Sequence, residues 1–444
     1  MVGKTLSSKV LVGKFAFLLL GLAAGGSMGK EGPMVTLSSS ALILTLNFLL
    51  LLPKAKEQFA AQLNTYTRVA IIAGAGAGIS AAFNSITGGI MFAIEEFACT
   101  FNFPMGRCLG TAVVSSMLTV FGLNTIIDSN YENLTFYGTV TDFATTSELF
   151  YVSVITGIIG GFLGGLNAQV LLWLLEIKAW TTRRFYTASY FWCLFCSFSL
   201  AALHVNTGGI TAGEGTEHVI SIFASEGTYC EGGDVERYFG VAKTFGTLLT
   251  YLAGICGGVF APSLSAGAGF GQILYCELFK GKIGEIGRGA KRRAANVSFG
   301  NETSASSYFC TSLSSLPFSR FASLIAAGDG ATSSQFTILC SMTAFFGGFT
   351  QSPLTSFSIL IGMVHVGGAE YNSPITHVGM LTASTIGSLV AGAINPTRIY
   401  HGMAQIIEEG NEKDLSLGEH RFFECGEGEA EGWGEATAAY RRPL

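Results

Sequence analysis

The chain has 444 residues, 49% of them hydrophobic and only 12% charged, with a mean hydropathy of +0.47. Soluble domains carry about 25% charged residues, so this composition excludes an ordinary soluble globule and points to a lipid environment. The net charge of −5 comes with no basic stripe interleaved with aromatics, which excludes nucleic acid as a partner.

Long apolar runs lie near 14–26, 38–52, 69–98, 110–127, 149–176, 190–204, 244–278, 321–364 and 377–394. A straight spanning helix needs about 20 apolar residues. Several runs are too short for that, and others are long but broken by Gly or Pro. Backbone broken at membrane depth is tolerated only where it lines a cavity or is buried in protein. Interrupted segments of this kind are typical of transporters. The 58 glycines suit the close backbone approach of helices in lipid. The expected fold class is therefore all-α, a polytopic membrane protein.

The N-terminal stretch MVGKTLSSKVLVGKFAFLLLGLAAGGS has the lysines, apolar core and small residues of a signal peptide. Its apolar core, however, runs into a charge pair rather than a polar domain. That pair is Lys30 and Glu31, fenced by Gly29, Gly32 and Pro33 in GGSMGKEGPMV. A helix start leaves about four backbone N–H groups free at the positive end of the dipole. Gly lets that end approach an ion closely, and Pro suits the first turn. GKEGPMVTLSSSALIL therefore reads as a tight loop entering a helix, with Glu31 at its start. Charged groups inside a membrane are costly and usually functional. Lys30 has a blander reading, since its long stem can carry the amine to an interface.

After a polar loop at 53–68 comes AAFNSITGGIMFAIEEF, in which Glu95 and Glu96 close an apolar run. Successive helical residues point about 100° apart, so the two face different surroundings. The pair reads either as a helix end reaching water or as the source of one proton-transfer group. Cys193 and Cys196 in YFWCLFCSFSLAAL read as helix filling, because no second pair or nearby His completes a metal site. Asn206-Thr207-Gly208-Gly209 is a turn, followed by an acidic loop with Glu214, Glu217, Glu226, Glu231 and Asp234. Cys230 and Cys310 fall in polar loops and could pair if those loops face an oxidising side. GGVFAPSLSAGAGFG then repeats the loop-into-helix pattern. A polar insert at about 281–317, basic and then Ser-rich, is expected to be a flexible loop. Residues 408–444 form a short acidic, Gly-rich tail, expected to be disordered and too small for a sizeable soluble domain.

Two pairs of motifs echo each other. GKEGP at 29–33 and GVFAP at 258–262 both read G-x-x-(G/A)-P, at an offset of 229. AAFNSITGGIMFAI and FGGFTQSPLTSFSILI align Phe83 with Phe349, at an offset of 266. The offsets differ by about the length of the polar insert, so the two halves read as one repeat interrupted by it. Inverted repeats place a binding site where the broken helices meet. Two helix starts aimed at one point make an anion site without a full positive charge, and a modest field lets the ion leave again.

Taken together, these motifs resemble the CLC family of chloride channels and chloride/proton exchangers, from about residue 10 to 407. GKEGP is similar to its gating-glutamate motif and GAGAGISAAFNSITGGIMFAIEEF to its next signature, although the family usually has Pro where this chain has Ile86. GGVFAPSLSAGAGFG resembles the chloride-binding loop. FFGGFTQSPLTSFSILI resembles the late signature, with Gly362 where many members have Glu, and NPTRIYHGMAQ the segment carrying the pore tyrosine. The resemblance implies a CLC-type inverted-repeat bundle of tilted and broken helices over domain 1–407, working in a lipid bilayer as a homodimer with one pore per subunit. It implies that Glu31 is the external gating glutamate and that Val259 and Phe260 donate backbone N–H groups to the anion. Gly29, Lys30, Gly32 and Gly258 complete the anion-binding loops. It also implies that Tyr400 is the phenol that bonds the anion, whereas without the family Tyr400 reads as an interfacial aromatic anchor. Glu96 resembles the internal proton glutamate, where the family's channels often carry an apolar residue.

The implied function is chloride/proton antiport. A passive voltage-gated chloride channel and a non-transporting membrane subunit are the alternatives. No cofactor is implied, and no HExxH, GxSxG or phosphate loop supports an enzyme. The family's earlier GSGIP motif, which supplies a pore serine and bears on chloride against nitrate preference, does not precede GKTLSSKVLVGK. Ser7, Ser8 and Ser27 do not sit in its context, so the family's first helices are expected to be missing. Sequons stand at Asn133, Asn296 and Asn301. The resemblance puts Asn133 in an outer loop, while Lys291, Arg292 and Arg293 pull the loop of the other two toward the cytoplasm.

Overall fold

A computed structural model of the chain describes residues 8–53, 62–97, 103–127, 139–140, 146–185, 187–225, 230, 234–255, 257–283, 334–366 and 374–412. Most of the polar insert, all three sequons, Cys310 and the tail beyond 412 lie outside these residues.

The first set of helices is α1 (Ser8–Ala23), α2 (Glu31–Leu49), α3 (Leu63–Phe83), α4 (Ile86–Phe92) and α5 (Phe103–Ile127). Four helices intervene: α6 (Thr146–Arg184), α7 (Ala188–Thr207), α8 (Thr216–Ala224) and α9 (Asp234–Arg237). The second set is α10 (Phe239–Ala253), α11 (Phe260–Leu274), α12 (Ser334–Thr350), α13 (Pro353–Met363) and α14 (Pro374–Ile394), with α15 (Ile399–Glu412) last. Short π-helical segments, Ala93–Phe97 and Tyr275–Ile283, prolong α4 and α11. Two-residue strands, β1 (Thr139–Val140) and β2 (His365–Val366), pair in parallel.

The expected repeat is visible in the order and packing of the helices. α2 packs on α3 as α11 packs on α12, and α3 packs on α5 as α12 packs on α14. Several of the long apolar runs are cut, at Gly and Pro in two cases and at Asn84-Ser85 in the third. Run 69–98 breaks between α3 and α4, run 244–278 between α10 and α11, and run 321–364 between α12 and α13. Among the described residues, six helices are long and apolar enough to cross a membrane. α4 and α13, at 7 and 11 residues, are not.

The second echo needs a one-residue correction. α3 ends on Asn84 at φ 53°, and α12 ends before Gln351 at φ 59°. These left-handed breaks, at 84 and 351, are equivalent, so the offset is 267 rather than 266. In the corrected register Ser85 matches Ser352, the residues before α4 and α13, and Ile86 matches Pro353. Ser85 Oγ accepts from Gly88 N at 3.0 Å and donates to the Ser358 carbonyl at 2.8 Å, which ties the first break to α13.

The centre of the molecule is α12, all 17 residues of which are buried. It lies between α6, α11 and α14. α6 approaches through one glycine face. A Cβ at Gly160 would stand 2.9 Å from Ala344 Cβ, and one at Gly165 2.8 Å from Ala391 Cβ, while Gly161 meets Gly387. Without a water-driven force between helices in lipid, such backbone contact supplies the packing. α6 has 39 residues and is about 58 Å long, well beyond a hydrocarbon core of about 30 Å. α7 is the reverse case, with Tyr190, Phe191, Leu194 and Phe198 exposed. Cys193, exposed, and Cys196, buried, lie on it as free thiols.

One expectation is corrected. Cys230 does not pair with Cys310; it forms a disulfide with Cys276, 46 residues on, just past the end of α11.

Candidate functional site

The two G-x-x-(G/A)-P loops meet face to face. Gly29 N donates to the Gly258 carbonyl at 2.8 Å, and Gly258 N donates to the Gly29 carbonyl at 2.7 Å. The pairing is antiparallel. Since Gly29 and Gly258 are the equivalent residues of the repeat, the reciprocal pair marks a local two-fold axis between the halves. Each loop then turns into its helix in the same way. Met34 N bonds the Lys30 carbonyl at 3.1 Å, and Ser263 N bonds the Val259 carbonyl at 3.0 Å. Pro33 and Pro262 stand in the first turns, where a missing N–H costs nothing. The amide ends of α2 and α11 are thus held side by side, with Lys30 and Val259 at their N-caps.

Glu31 is the first residue of α2 and only 2% exposed. Its carboxylate turns back over Gly29 and across onto Gly258, where a Cβ on either would collide with it. Its own backbone amide and that of Ala261, in the first turn of α11, act on it. Neither oxygen reaches hydrogen-bond geometry with any partner. Gly32 packs on the facing loop; a Cβ there would lie 3.2 Å from the Gly257 carbonyl. Converging amide ends attract negative charge without a fixed cation, and here the group seated between them is the Glu31 carboxyl.

Phe260, 2% exposed, forms the apolar wall. Its ring packs on Phe346 at 4.7 Å between centroids, on Phe92 at 5.4 Å, on Tyr400 at 5.7 Å and on Phe83 at 6.2 Å. Tyr400, half-buried at the start of α15, is within electrostatic reach of Glu31, Glu96 and Tyr251. The structure therefore brings together residues that the sequence placed more than 300 positions apart.

Glu95 and Glu96 both sit on the π-helical turn after α4 and are half-buried. Both turn toward the start of α13. Glu95 accepts from Leu354 N at 3.1 Å, Thr355 N at 2.7 Å and Thr355 Oγ1 at 2.6 Å, so it caps that helix. Glu96 accepts from Ser352 Oγ. Arg398, just before α15, donates to the Glu95 carbonyl at 2.7 Å.

Lys30 pairs with Glu214 at 3.6 Å. Glu214 comes from the acidic loop and lay outside the sequence-predicted set, as did Ala261, Ser352 and Tyr251, whose hydroxyl donates to the Gly257 carbonyl at 2.6 Å. Ala261 was within the G-x-x-(G/A)-P motif all along; the other three carry no local signal. Ser27 is fully buried beside the site, its N–H on Thr250 Oγ1 at 3.0 Å and its hydroxyl 3.3 Å from Thr247 Oγ1.

The family model described as voltage gated chloride channel matches residues 1–391. The chain belongs to the voltage-gated chloride channel family. Within it, the chain is 29% identical over 187 residues to the H(+)/Cl(-) exchange transporter 7 of Mus musculus, a match covering 38% of this chain and 22% of that one. It is 28% identical over 268 residues to the H(+)/Cl(-) exchange transporter ClcA of Yersinia pestis, covering 58% and 50%. The chain thus spans half or less of the length of these two relatives. Among solved structures, a slow cyanobacterial Cl−/H+ antiporter superposes with a TM-score of 0.59 at 18% identity, over 91% of this chain and 77% of that one. This likeness gives the voltage-gated chloride channel fold, and the protein is a multi-pass integral membrane protein.

Proposed function

We propose that the protein exchanges chloride for protons across a membrane, with Glu31 as the group that both ions use. The observation that carries this reading is the Glu31 carboxylate, buried without a hydrogen bond at the joined amide ends of α2 and α11. Apart from the amide ends, a group so placed has no fixed partner, and a buried charge without partners weakens a fold. It makes sense as a movable occupant. When ionised it takes the position that Gly29, Gly32, Gly258, Val259 and Phe260 offer to an anion. When protonated it loses its attraction to the amide ends, swings out and leaves that position to chloride. Each return of Glu31 to the site then releases a proton on the side it faces and expels an anion.

Tyr400 supports the same reading as a hydroxyl donor to the anion beside the Phe260 wall. Glu96, oriented by Ser352 and within electrostatic reach of Tyr400, suits the inner end of a proton path. Lys30, at the N-cap of α2 beside Glu31, supplies a positive charge to the rim of the anion loops. A homodimer with one pore per subunit is part of the proposal. The named exchange activity of the mouse and Yersinia relatives supports it further.

The test is transport by purified protein in vesicles. A chloride gradient imposed at equal pH drives protons uphill if the protein is an exchanger. Glu31→Gln then abolishes the proton movement while chloride still flows. Chloride flux without proton movement in the wild type identifies a passive channel, and no flux of either ion identifies a non-transporting subunit.

A further inference from the structure

The loop at Thr207–Gly215 is pinned to the site from several sides. Gly213 N donates to the Gly26 carbonyl at 3.0 Å. His204, at the end of α7, bridges the Thr211 hydroxyl at 2.8 Å and the Gly25 carbonyl at 2.6 Å. Lys243 of α10 is fully buried and donates from Nζ to the carbonyls of Gly213 at 2.6 Å and Thr211 at 3.0 Å. Ser265 of α11 donates to the Glu214 carbonyl at 2.7 Å. Gly213 and Gly215 flank Glu214 at φ 58° and 82°, so the chain turns sharply on each side of it. Holding a lysine this deep by backbone carbonyls is an expensive way to fix a surface loop, which indicates that the position of Glu214 matters.

What Glu214 meets there is Lys30, 3.6 Å away, with only 19% and 31% of the two side chains exposed. Glu214 also acts electrostatically on Glu31. Among the described residues, the other charged or titratable groups that bear on this region are Lys30 beside Glu31, Tyr400 on α15, through which Glu96 and Tyr251 are reached, and Lys243 behind Glu214. Lys14 of α1 reaches α2 one turn further on, at Thr36.

We infer that Glu214 is a positioning residue of the Glu31 site: from its pinned loop it holds the Lys30 ammonium one residue from Glu31, so that this carboxylate and ammonium together set the acidity at which Glu31 takes up its proton. The inference rests on the exchange reading above. A second carboxylate nearby opposes ionisation of Glu31, and an ammonium nearby favours it. Glu214 and Lys30 therefore push in opposite directions.

The experiment is chloride efflux from vesicles holding the full chain, measured across a range of pH for the wild type, Glu214→Gln, Glu214→Asp, Lys30→Gln and the double variant. Glu214→Gln moves the acid activation of flux to lower pH by about one unit, a tenfold change in proton loading at fixed pH. Lys30→Gln moves it to higher pH, the double variant returns toward the wild type, and Glu214→Asp keeps the wild-type profile. If Glu214→Gln does not fold, the alkaline shift of Lys30→Gln together with the rescue by Glu214→Asp carries the decision. A Glu214→Gln profile that superimposes on the wild type, or single variants that shift in the same direction, overturns the inference while leaving proton-coupled exchange standing. Absence of chloride flux from the wild type overturns both.

Discussion

The Glu31 carboxylate lies so close over Gly258 that a methyl group on that glycine would take the place of a carboxylate oxygen. Glycine at 258 is thus required by the side chain of Glu31, from the other half of the molecule, and not by a positive φ of its own. Gly258→Ala is expected to unseat the carboxylate. Chloride flux through the variant loses its dependence on pH, and overpacking lowers stability by about 1–3 kcal/mol. Flux measured at several pH values, alongside thermal unfolding in detergent, checks both parts.

Replacing Glu31 itself has the opposite effect on stability. The wild-type carboxylate is buried with no hydrogen-bond partner, and removing such a charge relieves a cost. Glu31→Gln and Glu31→Ala are expected to unfold at temperatures equal to or above the wild type. On the exchange proposal, wild-type chloride flux is expected to rise as pH falls, because protonation frees the site, whereas flux through either variant is expected to be flat with pH. A clear drop in unfolding temperature for both variants contradicts the seated-carboxylate geometry.

The adjacent glutamates are expected to separate cleanly. Glu95 caps α13 through Leu354 and Thr355, so Glu95→Ala costs about 1–2 kcal/mol, as loss of an N-cap does. Glu96→Gln keeps a side chain of the same shape against Ser352 and leaves stability near the wild type while proton movement is lost. Unfolding temperature and proton flux, read on the same two samples, distinguish them.

α6 offers a test of packing away from the site. Gly161 lies against Gly387 with no room for a side chain between. Gly161→Leu is expected to force α6 off α14 at a cost of about 1–3 kcal/mol or more. The measurement is thermal unfolding in detergent, with Gly110→Leu as the control, since nothing lies within 4 Å of a Cβ at Gly110.

The disulfide gives a fifth handle on stability. Cys230 and Cys276 close a loop 46 residues long, for which chain entropy predicts up to about 4 kcal/mol. Cys276→Ser, or treatment with reductant, is expected to lower the unfolding temperature of the wild type, and reductant is expected to have no further effect on the variant.

The parts of the site that sequence makes legible are those encoded by local backbone needs. GKEGP and GVFAP announce themselves because Gly and Pro mark where a loop approaches closely and a helix begins, and their offset of 229 is the one found. The break between α12 and α13 was harder. Its left-handed residue is Gln351, matched by Asn84 in the first half, and neither is a glycine that would fix the register. The shared direction of Glu95 and Glu96 was illegible for a related reason. A regular α-helix sends neighbours in different directions, yet on the π turn both side chains reach the start of α13. Glu214 could not be found at all, because it reaches Lys30 from a loop with no motif of its own. Likewise a count of cysteines cannot choose between Cys276 and Cys310 as partner for Cys230.

The backbone bridge between Gly29 and Gly258 has a consequence for how transport can proceed. Many transporters alternate access by rocking one repeat against the other around a fixed site. Here the seam between the repeats is stitched at the site itself by two short amide bonds, and rocking would have to break both in a buried place. Under the proposed exchange the two halves stay joined at the site, and the cycle is expected to fall to the Glu31 side chain rather than to motion of one half against the other.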